Sequence, residues 1–263
     1  MEWCMPDFLN RAEIEELSQF RLTTEKNASD QSIRLHELFD DYVLLKYLEW
    51  AGTYIGSPDV KVTASLFVKR YAILAVISLY AMTAWNKKIN MSFQNISLQT
   101  QEGDKIWLPQ FYFHQMSVET FCTERERFRE EVIKDVFTNH MYVMISQISK
   151  VTKQSKQIFW ENISIYLFWL YETAFTKIDD IEIEKRANED YHYLINEAPG
   201  SLFGDCRENP LKKFYDNKKY EDQNGVEIRI RTTCCLNYRL EGPAIYCNTC
   251  PRKCRKADSK SKK

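Results

Sequence analysis

Apolar residues recur at helical spacing along most of the chain. Between residues 29 and 56, Ile33, Leu35, Leu38, Phe39, Tyr42, Leu44, Leu45 and Leu48 fall three or four apart, which predicts one helix there. Ser57-Pro58-Asp59 then reads as the start of a second helix, with Ser57 or Asp59 available as its cap. That helix carries Ala64, Leu66, Phe67, Tyr71, Leu74 and Ile77 and turns apolar on every side as far as Trp85, the pattern of a central core helix. Further helices are expected over residues 10–20, 117–151, 153–176 and 183–196, the one at 117 opened by Ser117 with Glu119 and Thr120 in its first turn. Between residues 89 and 113 the period shortens. Ile89, Met91, Phe93, Ile96 and Leu98 partly alternate with polar residues, and Phe111-Tyr112-Phe113 follows a polar turn, so two or three short strands are expected. Residues 226–233 alternate in the same way. The expected fold is a helix-dominated α+β domain with a small antiparallel sheet.

Composition sharpens this picture in two places. Gly and Pro number seven each in 263 residues, too few for a turn-rich all-β fold. The net charge of −1 conceals an asymmetry: residues 226–263 hold ten Lys/Arg against three Asp/Glu, so they carry +7 and the rest −8. Such a tail suits nucleic acid, an acidic membrane surface, or something anionic held within the tail itself. Residues 1–11 include Glu2, Pro6, Asp7 and Arg11 and have no apolar stretch of the export type. The apolar stretch 71–85 is shorter than the about 20 residues of a bilayer span. A cytoplasmic protein is expected, at most peripheral to a membrane. The break Glu197-Ala198-Pro199-Gly200 and the polar run 221–225 divide the chain into a mainly helical scaffold (1–220), a C-terminal segment (221–256) and a mobile basic tail (257–263).

That C-terminal segment holds the candidate chemistry. Of eight cysteines, five lie between Cys234 and Cys254. Cys234-Cys235, eleven residues, then Cys247-x-x-Cys250 gives four thiolates, enough to complete two sulfide-bridged irons. Gly242 and Pro243 sit midway and let the chain reverse. An oxidised four-thiolate [2Fe–2S] centre is anionic, and Arg231, Arg239, Arg252, Lys253 and Arg255 are the available countercharges. A structural zinc site is the alternative, although zinc knuckles usually space both cysteine pairs and here the first pair is adjacent. Cys254 is a bystander or an alternative ligand. Cys4, Cys122 and Cys206 read as isolated thiols. His36, His114, His140 and His192 have no ligand spacing, and the aromatics Phe159, Trp160, Phe168 and Tyr171 read as core.

The cysteine motif, with its flanking Arg231-x-x-Cys-Cys-Leu-x-Tyr-Arg239 and Cys250-Pro251-Arg252, resembles the FhuF-like ferric siderophore reductases, which are related to the C-terminal part of the IucA/IucC siderophore synthetases. Two further stretches look like that family: Ala64-Ser65-Leu-Phe-Val-Lys69-Arg70-Tyr71, and Leu202-Phe203-Gly204 with Asn209-Pro210-Leu211-x-x-Phe214. The resemblance implies one [2Fe–2S] cluster on Cys234, Cys235, Cys247 and Cys250. It also implies cytoplasmic one-electron reduction of a ferric siderophore or ferric citrate-like chelate in iron transport. Lys69, Arg70, Arg231 and Arg239 are then candidate substrate contacts. The scarcity of glycine leaves no Gly-x-Gly-x-x-Gly fingerprint, so an external donor, a ferredoxin or flavoprotein, is expected. Peripheral contact with an inner-membrane transporter fits this role, and nucleic acid is not an expected partner. The competing readings are a zinc-stabilised binding module, an iron–sulfur redox sensor without chelate turnover, and a siderophore-binding protein with a structural cluster.

Overall fold

The structure, a computed structural model, describes residues 7–27, 31–100, 106–120, 124–216, 219–221 and 227–253. Strand β1 (Asp7–Phe8) leads into helix α1 (Arg11–Ser18), which Asn10 starts: its side chain accepts from the Glu13 N–H while the Glu13 carboxylate accepts from the Asn10 N–H. β2 (Leu22–Thr23) and β3 (Ile33–Arg34) follow. The single helix expected over 29–56 is two pieces, a 3₁₀ turn at Leu35–Phe39 and then α2 (Asp41–Tyr54). Asp40 makes the break. In extended backbone, its carboxylate accepts from the Tyr42 and Val43 N–H groups, so it begins a helix rather than continuing one.

Asp59 caps α3 (Val60–Tyr71) through the Val62 N–H, and α4 (Ile73–Trp85) continues it through Ala72. The stretch Val60–Trp85 is thus longer than the apolar run alone suggested. Its length and composition would suit a membrane span, yet 89% of its most apolar window is buried inside the protein. α3 packs on α2 and α7, and α4 on α5, α7 and α8. Here α5 is Arg125–Lys134, α6 Tyr142–Thr152, α7 Lys156–Trp169 and α8 Ile181–His192.

Between α4 and α5 lie β4 (Lys87–Ile89), β5 (Ile96–Gln99), β6 (Gln110–Phe113) and β7 (Ser117–Thr120). Ser117–Thr120 is therefore a strand, not a helix opening. Val118 is buried opposite Ile89 and Asp7, while Glu119 faces out. That period-two alternation outweighs the capping signal at Ser117. One sheet runs β1-β7-β4, all antiparallel. The other runs β2-β6-β5-β3 and is mixed, because β2 and β6 are parallel. The helix-dominated α+β class holds, with a sheet that is partly parallel.

The chain after α8 wraps back onto the scaffold. Phe203 is fully buried against Phe137 and Trp160, at centroid distances of 4.9 and 6.1 Å. Gly204 has φ +90, and a Cβ there would lie 2.2 Å from the Tyr142 ring, so only glycine fits. α9 (Lys212–Tyr215) and the hairpin β8 (Lys219–Glu221) and β9 (Glu227–Arg229) then deliver the chain to the cysteines.

Candidate redox site at the C-terminal cysteines

α3 and α7 present the face on which the cysteine segment lies. From α3, the Ser65 hydroxyl donates to the Cys235 carbonyl at 2.9 Å. From α7, Asn162 Nδ2 donates to the Ser65 carbonyl at 2.8 Å, and its Oδ1 accepts from Arg231 Nη2 at 2.6 Å. The neighbouring Glu161, 1% exposed, accepts from the N–H groups of Thr232 (2.6 Å) and Thr233 (2.7 Å) and from the Thr233 hydroxyl. Its carboxylate lies 3.6 Å from Arg231 Nε. The Arg231 N–H donates to the Thr249 carbonyl at 3.0 Å, inside the Cys247-x-x-Cys250 turn. One buried polar network thus ties both cysteine pairs to the same two helices. A buried carboxylate is tolerated only when paired in this way.

The sulfurs divide into an inner and an outer pair. Cys235 and Cys250 are each 2% exposed, whereas Cys234 and Cys247 are half-buried. Leu236 adopts φ +67, a conformation strained for a leucine, and its N–H points at Cys234 Sγ, 3.4 Å away. The Cys250 N–H closes the turn on the Cys247 carbonyl at 3.1 Å. The adjoining Cys247 thiol favours the Cys235 thiolate and lowers the Cys235 pKa. Lys69, Arg231 and the Asn237 N–H assist against desolvation. Cys247 is pushed up by the same contact and by burial, and burial raises Cys234. Among the described residues, no three His, Cys, Asp or Glu side chains converge as a site for one metal ion.

The residues fit an anionic group. Arg231 is 3% exposed, yet its Nε and Nη1 have no hydrogen-bond partner. Its charge acts on Cys234, Cys235 and Cys247. A buried guanidinium whose Nε meets Glu161 only as an ion pair at 3.6 Å and whose Nη1 has no partner, acting on three of the thiols, favours a charged, acceptor-rich neighbour.

The candidate substrate contacts separate on inspection. Lys69 and Arg231 act on the thiols. Arg70 lies over Trp107 at 5.3 Å and donates to the Leu66 carbonyl; burial lowers its pKa, and its charge also interacts with Cys235. Arg239 pairs with the helix-capping Asp59 at 2.9 Å, pinning the loop between the cysteine pairs to the start of α3. The Cys206 thiol donates to the Phe203 carbonyl at 3.4 Å, away from the other cysteines. Cys4, Cys122, Cys254 and the basic tail 257–263 lie outside the described residues. Sequence reasoning missed Glu161 and Asn162. Their signal was a Glu-Asn pair within an otherwise apolar, aromatic stretch, where a buried charge demands a partner.

Beside the site runs a groove of about 360 Å³. Ile165, Phe168, Trp169, Phe214 and Ile228 form its apolar wall, and Arg231 and Thr249 close its end nearest the cysteines. Its rim holds the Arg229–Glu172 ion pair at 2.8 Å.

These features define a class: a helix-dominated α+β protein that docks a cysteine-rich C-terminal segment on two core helices through buried charge and amide groups. A family model described as "Ferric iron reductase FhuF-like transporter" matches residues 65–222. The chain belongs to this FhuF-like ferric iron reductase family. The match takes in Ser65, Lys69, Glu161, Asn162 and Phe214 and ends before the four cysteines. No curated protein matches the chain.

Proposed function

We propose that this protein is a cytoplasmic ferric siderophore reductase that holds a [2Fe–2S] cluster on Cys234, Cys235, Cys247 and Cys250. Membership of a ferric iron reductase family supports the reaction class. The observation that carries the cofactor is the buried Arg231, ion-paired to Glu161 through Nε but with an unpartnered Nη1, in a segment of four thiols held by Glu161, Asn162 and Ser65. When bound, such a cluster supplies a one-electron centre with two negative charges when oxidised and three when reduced.

The residues around it have distinct tasks. Arg231 and Lys69 offset the added negative charge. The Leu236 and Asn237 N–H groups stabilise thiolate sulfur. The groove beside Thr249, with an apolar wall and charged groups from Glu172, Glu227 and Arg229, receives the ferric chelate; its volume lies in the range of small-molecule sites. Fe(II) is held far more weakly than Fe(III) by hard oxygen ligands, so reduction releases the metal. Electron transfer makes and breaks no covalent bond, and no side chain is required as acid or base. Residues 1–220 serve as the chelate-binding scaffold and residues 221–256 as the cluster-binding segment.

Serine in place of any one of the four cysteines tests this reading. Each variant should lose the visible chromophore, and ferric-chelate reduction should fall to the background rate of free reductant. A variant with wild-type spectrum and turnover would overturn the assignment.

A further inference from the structure

The loop between the two cysteine pairs carries a surface for which chelate reduction gives no role. Tyr238 and Tyr246 stack with centroids 5.7 Å apart and rings within 4° of parallel. The Arg252 guanidinium lies 4.4 Å from the Tyr238 ring centre and donates to the Tyr238 hydroxyl. Asn237 Nδ2 donates to the Ile245 carbonyl at 3.1 Å and closes the base of the loop. Residues 241–245 are all exposed, Ile245 at 67%. Arg239 and Glu241 hold the loop to the scaffold at Asp59 and Gly56, and at the φ +88 of Gly242 a Cβ would meet no atom within 4 Å, so the loop's tip is open there. The result is an aromatic ledge that leads directly, in the chain, into the half-buried Cys247.

Its charge is unbalanced. Arg252 and Lys253 are exposed, and among the described residues neither joins an ion pair, whereas Arg239 on the same loop is neutralised by Asp59. The sequence beyond them adds Arg255, Lys256, Lys260, Lys262 and Lys263 against Asp258 alone. The rest of the chain is acidic. An acidic protein is therefore steered toward this end and repelled elsewhere.

We propose that this ledge is the docking site of an acidic one-electron carrier protein. The inference rests on the reductase reading. The carrier would lose one electron and a cluster held by the four cysteines would gain it, with no bond or proton transferred. Two other occupants fit less well. Tyr238 already stacks with Tyr246 and carries Arg252 against its ring, so it is a poor platform for a nucleic-acid base. A single exposed isoleucine is too little apolar surface to seat a membrane helix or loop.

The test uses the full-length protein purified without oxygen, its cluster content read first from visible absorption. Binding to a plant-type [2Fe–2S] ferredoxin, and the rate at which that carrier reduces the protein, are then compared between the wild type and the Arg252→Glu, Lys253→Glu double variant. At low salt the variant should bind and accept electrons about tenfold more weakly or worse, and the difference should shrink as salt rises. Cluster content, read from visible absorption, should match that of the wild type. Equal carrier binding and equal rates in the two proteins would overturn the proposal. So would loss of binding to phosphatidylserine vesicles or to single-stranded oligonucleotide while carrier binding stays intact. Protein that takes up no cluster would refute the reductase reading itself; loaded protein whose carrier kinetics ignore the charge reversal would refute the docking site alone.

Discussion

Glu161→Gln isolates what holds the cysteine segment in place. The carboxylate is 1% exposed, accepts from two backbone N–H groups and one hydroxyl, and lies 3.6 Å from Arg231. Glutamine is nearly isosteric, but it presents an NH₂ where one carboxylate oxygen accepted, toward Thr232 or Thr233. It also strips the buried Arg231 of its counter-charge. Removing one partner of a buried ion pair costs about 3–5 kcal/mol, a range that already includes most of the hydrogen-bond loss because the two share atoms. The loss falls on the docking of residues 227–253 rather than on the helical core, whose contacts do not involve Glu161 oxygens. Each 1.4 kcal/mol is about a factor of ten, so the segment's opening equilibrium should rise at least ~100-fold. Thiol labelling reads this directly in cluster-free protein. Cys235 and Cys250, each 2% exposed, should react at least ~100-fold faster with an aromatic disulfide in the variant, while helical circular dichroism and its melting curve stay close to wild type. Unchanged labelling rates would show that Glu161 does not anchor the segment.

Three further outcomes follow from the same geometry. Arg231→Gln should lower the reduction potential of the loaded protein on the order of 100 mV, with 59 mV equal to one decade; an unchanged value in an EPR-monitored titration would remove Arg231 as the countercharge. His140, stacked between Tyr71 and Phe93, is held neutral by burial with its pKa lowered to about 4, its Nδ1 bonded to the Met91 carbonyl and its Nε2 to the Tyr71 hydroxyl. Its folded value lies below the unfolded one, so its contribution to stability is full above about pH 6.5 and about 3 kcal/mol is lost as pH falls toward 4; a His140→Gln variant should show a correspondingly flatter acid limb in urea melts, and an equal slope would contradict this. Gly204→Ala should lower the unfolding free energy, read from denaturant melts, by about 2 kcal/mol or more, because φ +90 and the Tyr142 ring both oppose a side chain; a neutral result would mean that the turn relaxes freely.

What the sequence made legible depended on distance along the chain. The core helix from Val60 to Trp85, the Asp59 cap and the break at Pro199 are local signals and stand as expected. Asp40 shows how a local signal is missed: apolar spacing runs straight through it, and only its capping geometry divides the helix. Ser117–Thr120 shows a local signal overruled, because pairing with β1 and β4 decided its state. The parallel pairing of Leu22 and Phe111 is set by tertiary packing that no periodicity records. The same holds at the site. The four cysteines stand out by spacing. Glu161, which fixes the chain just before them, is some seventy positions away and was hidden among core aromatics. Arg231 was visible as a charge, but its burial and its unpartnered Nη1 were not.

The central claim is a four-cysteine [2Fe–2S] centre, and composition plus spin test it most directly. Protein purified without oxygen should contain two irons and two sulfides per chain, absorb in the visible, and give a half-integer-spin EPR signal only after dithionite. Colourless protein with one zinc and no sulfide, even after anaerobic reconstitution with iron and sulfide, would contradict the account and leave the cysteine segment as a structural metal knot.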